Sequence, residues 1–294
     1  LKPGQKLPYY KGSIKIMTAN AKTRLYGVFG HPVGHSLSPL MHNSAFASMG
    51  INAVYLAFDV DKIGPAVDAL RTFGMGGASV TIPHKIAVMD HLDEVDPAAR
   101  AMGAVNTIVN RDGHLFGCNT DGPGAVSALG GETALAGKNL VILGSGGAAR
   151  AIAFAAKDCG AALFVANRRE DEAQARALAE ELLCPAALLE QINELPCDIL
   201  VNATPVGMTP HEGDTPVEKG FFRPGMKVMD AVYSPLETRL LREAKQAGCI
   251  VVDGLNMFVY QGAGQFALWT GRKAPVELMR SVVYNALGNQ EKNF

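Results

Sequence analysis

The segment Gly144-Ser145-Gly146-Gly147-Ala148-Ala149 follows directly on the continuous apolar run Leu140-Val141-Ile142-Leu143. No other stretch of the chain narrows the possible folds as much. A short buried strand, a glycine-rich turn and a helix form the opening unit of a doubly wound sheet. Gly144, Gly146 and Ala149 fit the spacing G-x-G-x-x-G/A. The first glycine permits a tight turn. The second lets a pyrophosphate approach the backbone, and a small third residue lets helix and strand pack closely. The start of the helix then offers unpaired N–H groups to the phosphates. Gly144, Ser145, Gly146, Gly147, Ala148 and Ala149 therefore read as a dinucleotide cradle.

The next strand of that unit, Ala162 to Ala166, leads to Asn167, about 23 positions after the first glycine. An Asp or Glu there would grip the ribose 2′-hydroxyl of NAD. Here a neutral Asn167 precedes Arg168 and Arg169. Guanidinium groups suit a 2′-phosphate, so the expected cofactor is NADP. The bland alternative is two solvated arginines heading a helix, an end where the dipole disfavours cations. Glu170 and Asp171 follow and can partly neutralise the arginines.

Around this unit the periodicity predicts an α/β chain. Strands are expected at Arg24 to Phe29, Val54 to Val60 and Ala78 to Ile82, and helices at Pro39 to Met49 and Lys62 to Phe73. Two further helices are expected at Lys85 to His91 and Pro97 to Met102. Thr107 to Asn110 and His114 to Gly117 flank Arg111-Asp112-Gly113, a hairpin turn. This describes an N-terminal α/β layer, mostly parallel, with a hairpin attached. From Gly122 a Rossmann-type doubly wound unit follows. Its remaining strands are Ile199 to Asn202, Lys227 to Ala231 and Ile250 to Val252, with helices at Ala148 to Cys159, Asp171 to Leu183 and Thr238 to Ala247. After Gly254 the pattern turns helical, over Met257 to Trp269 and Val276 to Ala286. These C-terminal helices are expected to return to the first unit. The predicted domains are a substrate domain of residues 1–121 plus 255–294 and a cofactor domain of residues 122–254.

Composition removes several classes. With 294 residues, 48% hydrophobic and 19% charged, the chain can bury two cores. Its 27 basic and 28 acidic residues give a net charge of −1 with no basic block, which argues against nucleic acid as a partner. No apolar run reaches the length of a membrane span. The five cysteines are widely spaced without a C-x-x-C pair, the pattern of free thiols in a reducing, cytoplasmic compartment. The seven histidines are scattered, and His31 and His35 lack further ligands, so no metal site is expected. The polar, Lys-rich opening lacks a signal-peptide core and is expected to form a mobile arm to about residue 22. The chain begins at Leu1, and Met17 is a candidate natural start.

Several polar residues stand out. Ser36 and Ser38 project to one side of an extended segment. Ser38 before Pro39 equally fits an ordinary helix N-cap, and that helix start would also welcome a carboxylate. Thr81-Ile82-Pro83-His84-Lys85 places an amine at the end of the strand Ala78-Ser79-Val80, although a lone lysine is usually a surface residue. Asp121, in Asn119-Thr120-Asp121-Gly122, reads by itself as a helix cap. Asn106 lies in the apolar run Gly103 to Ile108 and needs a partner, protein or ligand.

Taken together these segments closely resemble the shikimate dehydrogenase family, over nearly the whole chain from Leu25 on. The matching motifs are Gly34-His35-Ser36-Leu37-Ser38-Pro39, Val80-Thr81-Ile82-Pro83-His84-Lys85, Gly103-Ala104-Val105-Asn106-Thr107, Asn119-Thr120-Asp121-Gly122, Gly144 to Ala149, Asn167-Arg168, Asn202-Ala203-Thr204 and Tyr260-Gln261. The resemblance implies that Lys85 and Asp121 form a catalytic pair and that Ser36 and Ser38 bind a substrate carboxylate. It implies that Thr81, Lys85, Asn106, Asp121 and Gln261 bind ring hydroxyls, with Tyr233 nearby. It adds Ala231 and Gly254 to Asn167, Arg168 and Arg169 at the cofactor site. The implied reaction is NADPH-dependent reduction of the ketone of 3-dehydroshikimate. The sequence departs from the family at Arg169, where Thr is frequent, and at Pro97, where some members carry an acid. Two other readings share the fold: a quinate/shikimate dehydrogenase using NAD or both cofactors, and a non-catalytic ligand sensor. A sensor is expected to lack Lys85 or Asp121, and both are present. Monomer and homodimer both remain open.

Overall fold

The computed structural model describes residues 19–290, so the arm expected up to about residue 22 lies almost wholly outside the described residues. The chain forms two six-stranded sheets in sequence. The first half runs β1 (Arg24–Gly30), α1 (Ser38–Ser48), β2 (Ala53–Asp59), α2 (Ile63–Thr72), β3 (Gly77–Val80), β4 (Glu94–Val95), α3 (Pro97–Met102), β5 (Thr107–Arg111) and β6 (His114–Cys118). Its strand order is β2-β1-β3-β5-β6-β4. β1 pairs in parallel with β2 and β3, whereas β5 runs antiparallel to β3 and β6. The hairpin turns on Asp112 and Gly113, both at positive φ as a tight primed turn requires.

The second half runs α4 (Asp121–Ala128), β7 (Asn139–Leu143), α5 (Gly147–Asp158), β8 (Ala162–Asn167), α6 (Glu172–Glu181), β9 (Ala186–Leu188), β10 (Ile199–Asn202), β11 (Lys227–Asp230), α7 (Arg239–Gln246), β12 (Ile250–Val252), α8 (Gly254–Thr270) and α9 (Val276–Gln290). Its sheet has the order β12-β11-β10-β7-β8-β9, and its strands pair in parallel. The order reverses between β7 and β10, which opens a crevice at the carboxyl ends of those strands. Gly144 leaves β7 at this point with φ +101°. The expected doubly wound unit is thus present.

Each sheet is covered on both faces. Leu255, Val259, Phe266 and Trp269 of α8 and Met279, Val283 and Leu287 of α9 pack with Tyr26, Val28, Met41 and Phe46 on one face of the first sheet. Val67, Leu70, Val88 and Ala99 cover its other face with Ile108 and Leu115. The C-terminal helices therefore do return to the first sheet. α8 also reaches the second unit: Met257 joins the core of Leu140, Ile142 and Ile152, together with Ala125 of α4 and Leu129 just after it.

Two expectations need correction. Lys85 to His91 is not an α-helix but a turn followed by a 3₁₀ segment, Ala87–His91. The carbonyl of Lys85 accepts from the Val105 amide at 2.8 Å, which ties it to another segment, and the Met89 amide donates to Ile86 in the i→i−3 pattern of a 3₁₀ turn. The helix expected from Asp171 begins at Glu172, after a 3₁₀ turn at Arg169–Asp171. The short edge strands β4 and β9 carry no periodicity that a sequence reading could use.

His42 of α1 is fully buried and stacked on Tyr55 at 4.5 Å between ring centroids, and neither ring nitrogen has a hydrogen-bond partner among the described residues. Burial lowers its pKa from 6.5 to about 3. The unfolded chain therefore takes up a proton below pH 6.5 that the folded chain refuses, and stability drains as pH falls from 6.5 toward 3. By pH 5 the loss is about 2 kcal/mol. Buried Asp230, pushed up to about 6 by burial, has the opposite sign: its contribution is lost as pH rises from 3.8 through 6. Comparing wild type with His42→Leu cancels the Asp230 contribution. The melting temperature of the variant relative to wild type is expected to rise by about 3–6 °C between pH 7 and pH 5. A gap independent of pH would contradict the assignment.

Candidate active site

The site is built from backbone ties between distant segments. β3 ends at Val80, whose amide donates to the carbonyl of Asn106, while Val105 donates to the carbonyl of Lys85. These two bonds strap the Thr81–Lys85 turn to the segment entering β5. His84 is buried and lies 2.6 Å from the carbonyl of Val60 through Nε2, which anchors the other side of the turn. The Lys85 side chain is thereby aimed at the start of α4.

There Lys85 Nζ donates to Asp121 Oδ2 at 2.5 Å, with side-chain exposures of 14% and 8%. The other carboxylate oxygen accepts from Asn106 Nδ2 at 2.8 Å. Asn106 also donates to Thr120 Oγ1, and its carbonyl accepts from the Thr120 amide and the Thr107 hydroxyl. The partner that Asn106 requires is therefore Asp121 with its neighbour. Asp121 does not cap its own helix. Asn119 does so, its Oδ1 accepting from the amides of Asp121 and Gly122 at 2.9 and 3.4 Å while its Nδ2 donates to the carbonyl of Ala104. With the capping done by Asn119, the Asp121 carboxylate is free to face Lys85.

Ser36 and Ser38 stand at the head of α1. Ser38 does not act as the expected cap: it is the first residue of the helix and is buried, and its amide donates to Ser36 Oγ at 3.2 Å. Thr81 is half-buried, and a Cβ on Gly30 would meet its methyl at 2.3 Å, so β1 runs close beneath it. Gln261 is buried on α8 and donates to the carbonyl of Phe258. Gly124 allows the approach of α4 to Gln261, since a Cβ there would lie 2.9 Å from the Gln261 amide nitrogen. Tyr233 stacks on Phe258 at 4.6 Å, and burial pushes its hydroxyl up to about 12.

The glycine-rich turn lies directly against Lys85. A Cβ on Gly147 would sit 3.3 Å from Lys85 Cδ and 3.9 Å from Ala104 Cβ, whereas a Cβ on Gly146 would meet nothing within 4 Å. Gly146 thus faces the open space a pyrophosphate needs, at the N-terminus of α5. Ser145 accepts from Asn167 Nδ2 at 3.0 Å, which stitches the turn to the end of β8. Arg168 and Arg169 are exposed; Arg168 pairs with Asp171 at 2.6 Å and Glu170 at 3.3 Å, and Arg169 with Glu190 at 3.6 Å. The acids after the arginines therefore hold Arg168, as their sequence position allows. Ala148 and Ala149 continue into α5. Gly254 packs beside Ala231 and Val232, with a hypothetical Cβ 2.4 Å from the Val232 carbonyl oxygen.

Asp230 went unnoticed in the sequence. Fully buried at the end of β11, it accepts from Asn202, Val232 and Thr238. It braces the Asn202-Ala203-Thr204 turn, against which Gly144 packs. Among the described residues, no group of three or more His, Cys, Asp or Glu is placed to hold a metal, and no helix is long and apolar enough to cross a membrane.

Comparison with known proteins agrees with this geometry. Residues 28–108 match the family model of the shikimate dehydrogenase substrate binding domain, and residues 254–284 that of the shikimate 5′-dehydrogenase C-terminal domain. A shikimate dehydrogenase (NADP⁺) of Moorella thermoacetica is 48% identical over 93% of this chain and 97% of its own length. A shikimate dehydrogenase solved in complex with NADP⁺ superposes with a TM-score of 0.88 at 42% identity, covering 92% of this chain and 98% of that one. The Thermus thermophilus shikimate 5-dehydrogenase solved with NADP(H) and shikimate gives 0.83 at 41% identity, over 90% of this chain and 100% of that one. With identity of this level across nearly its full length, the chain belongs to the shikimate dehydrogenase family.

Proposed function

We propose that this chain is an NADP-dependent shikimate dehydrogenase that reversibly reduces 3-dehydroshikimate to shikimate on the route to chorismate and the aromatic amino acids. The observation that carries the reading is the Lys85–Asp121 pair lying against Gly147 of the nucleotide turn. An amine and a carboxylate beside a dinucleotide cradle suit hydride transfer at a carbonyl carbon. Two of the relatives named above support it, one solved with NADP⁺ and one with NADP(H) and shikimate.

Bound NADPH supplies the hydride. Reduction builds negative charge on the ketone oxygen, and the Lys85 ammonium at that oxygen stabilises the charge and delivers a proton. Asp121, fixed by Asn106, orients the ammonium and accepts from the neighbouring ring hydroxyl. Ser36 and Ser38 hold the substrate carboxylate at the head of α1, where unpaired N–H groups favour an anion. Thr81, Asn106, Gln261 and Tyr233 take the remaining ring contacts. The turn Gly144 to Ala149 receives the pyrophosphate, with Ala231 and Gly254 alongside. Asn167, Arg168 and Arg169 face the adenosine end.

The substrate domain is assigned residues 1–121 plus 255–294 and the cofactor domain residues 122–254, with the two crossings acting as a hinge. The packing of α8 and α9 on the first sheet supports this division. The five free cysteines fit a reducing, cytoplasmic setting.

Initial rates with shikimate and quinate, each with NADP and NAD, test the activity; turnover is expected to be fastest with shikimate and NADP. A chain that turns over neither acid would refute it. Lys85→Ala is expected to lower kcat roughly 10²- to 10⁴-fold, the range for losing a positioned acid-base group. Ser36→Ala should act mainly on KM, because the carboxylate is bound alike in ground and transition states. A Lys85→Ala enzyme with near-normal kcat would remove the lysine from the reaction.

For the 2′-phosphate, Arg168 must exchange Asp171 for the ligand. An exposed pair of this kind holds its partner weakly. Arg168→Ala is expected to cost roughly 10- to 150-fold in kcat/KM for NADP, the range for a charge-assisted contact. The value for NAD should hardly change. Equal losses with both cofactors would mean that the arginine shapes the turn through Asp171 and does not bind the phosphate.

A further inference from the structure

Behind Asp121 and Asn106 runs a buried chain of hydrogen bonds through Thr107, Gln265, Ser79 and Tyr55 that the proposed reaction does not use directly. Its polarity is set from the carboxylate outward. Asp121 accepts, so the amide nitrogen of Asn106 faces it, at 2.8 Å. The carbonyl oxygen of Asn106 then accepts from Thr107 Oγ1 at 2.6 Å. With its single proton spent on Asn106, Thr107 must accept from Gln265 Nε2, at 3.2 Å, with Thr120 Oγ1 also at 3.3 Å. The same nitrogen donates to the backbone carbonyl of Asn106 at 3.3 Å, which fixes the Gln265 amide independently. Gln265 Oε1 therefore points away and accepts from Ser79 Oγ at 2.8 Å, and Ser79 accepts from the Tyr55 hydroxyl at 2.6 Å.

Every donor in this chain points toward Asp121. Gln265, Ser79, Tyr55 and Thr107 are all buried, with Gln265 only 2% exposed. Hydrogen bonds in series and in one direction polarise one another, and a low-dielectric setting strengthens the effect. Within the chain, Gln265 is the link that reaches both β3, through Ser79, and β5, through Asn106 and Thr107. It sits on α8, one turn beyond Gln261.

We infer that Gln265 is a positioning residue for the reaction: it orients the Thr107 hydroxyl, which fixes the Asn106 amide, which holds Asp121 against Lys85. The inference rests on Asp121 acting in the reaction proposed above. Gln265 needs no contact with substrate for this role. Its loss should act on the chemical step more than on binding, because the groups that hold the substrate carboxylate lie apart from this chain, at the head of α1.

The test is a double-mutant cycle read by steady-state kinetics with shikimate and NADP. Gln265→Met keeps the side-chain length and removes its hydrogen bonds. It is expected to lower kcat about 5- to 20-fold while KM for shikimate stays within about twofold. Thr107→Val breaks the chain one link nearer Asp121. The double variant should be no slower than the slower single variant, since both break one path. A Gln265→Met kcat within twofold of wild type, a change confined to KM, or losses that multiply in the double variant would each overturn the inference. Should Gln265→Met fail to fold, Ser79→Ala removes the anchor on Oε1 with less disturbance. A drop of about three- to fivefold in kcat at constant KM is then expected, and an unchanged kcat would overturn it. A crystal structure of the variant gives a reading free of activity: the Asn106 amide should leave Asp121, and an Asn106 held as in wild type would contradict the role. Wild-type turnover judges the proposed function, whereas the ratio of variant to wild type judges Gln265.

Discussion

A carboxylate taken out of water is costly unless both its oxygens are matched by donors, and Asp121 meets that demand with donors from two other segments. Lys85 arrives from the turn after β3, and Asn106 from the residue before β5. The surrounding architecture can be read as what is needed to bring these three residues together. The Val80–Asn106 and Val105–Lys85 backbone bonds fix the two segments to each other, and Asn119 fixes the start of α4. Removing the amine would leave a nearly buried carboxylate half-matched, so the groups of the pair stand or fall together.

Close backbone approach is the second constraint. α4 carries Asp121 and must touch both α5 and α8. Gly122 and Gly124 allow this, facing Ala151 and Gln261 at distances no side chain could fit. α8 then serves both sheets: Met257 belongs to the core of the second, while Phe266 and Trp269 belong to that of the first. The same helix places Gln261 against Gly124 of α4 and Gln265 against Asn106 and Thr107. The packing of α4 against α5 and α8 thus ties the position of Asp121 to both sheets.

The cofactor unit was legible in the sequence because its signals are local. An apolar run, glycines at fixed offsets and a helix suffice to give β7, the turn and α5. The helices with a clear apolar face, such as α2 with Ile63, Val67 and Leu70, were equally readable. The turn after Lys85 was not, because its course is set by a bond to Val105, 20 positions away, that no local pattern announces. Asp121 read by itself as a cap; only the fold shows that Asn119 does the capping. Asp230, Ser79 and Gln265 carried no signal, and Thr107 entered only as the last residue of a family motif. Their roles come from partners far apart in the chain, and polar residues inside apolar helices and strands look alike until those partners are known.

The central claim is that Lys85 and Asp121 act as one unit at the carbonyl. A double-mutant cycle between them measures that most directly, with kcat for shikimate oxidation by NADP determined in wild type, Lys85→Met, Asp121→Asn and the double variant. If the two residues form a single device, either change disables it, and the double variant should be about as slow as the slower single one, as groups that act together show strongly non-additive losses. If the losses instead multiply, the two side chains contribute independently, and the pairing seen in the structure is not the basis of the reaction.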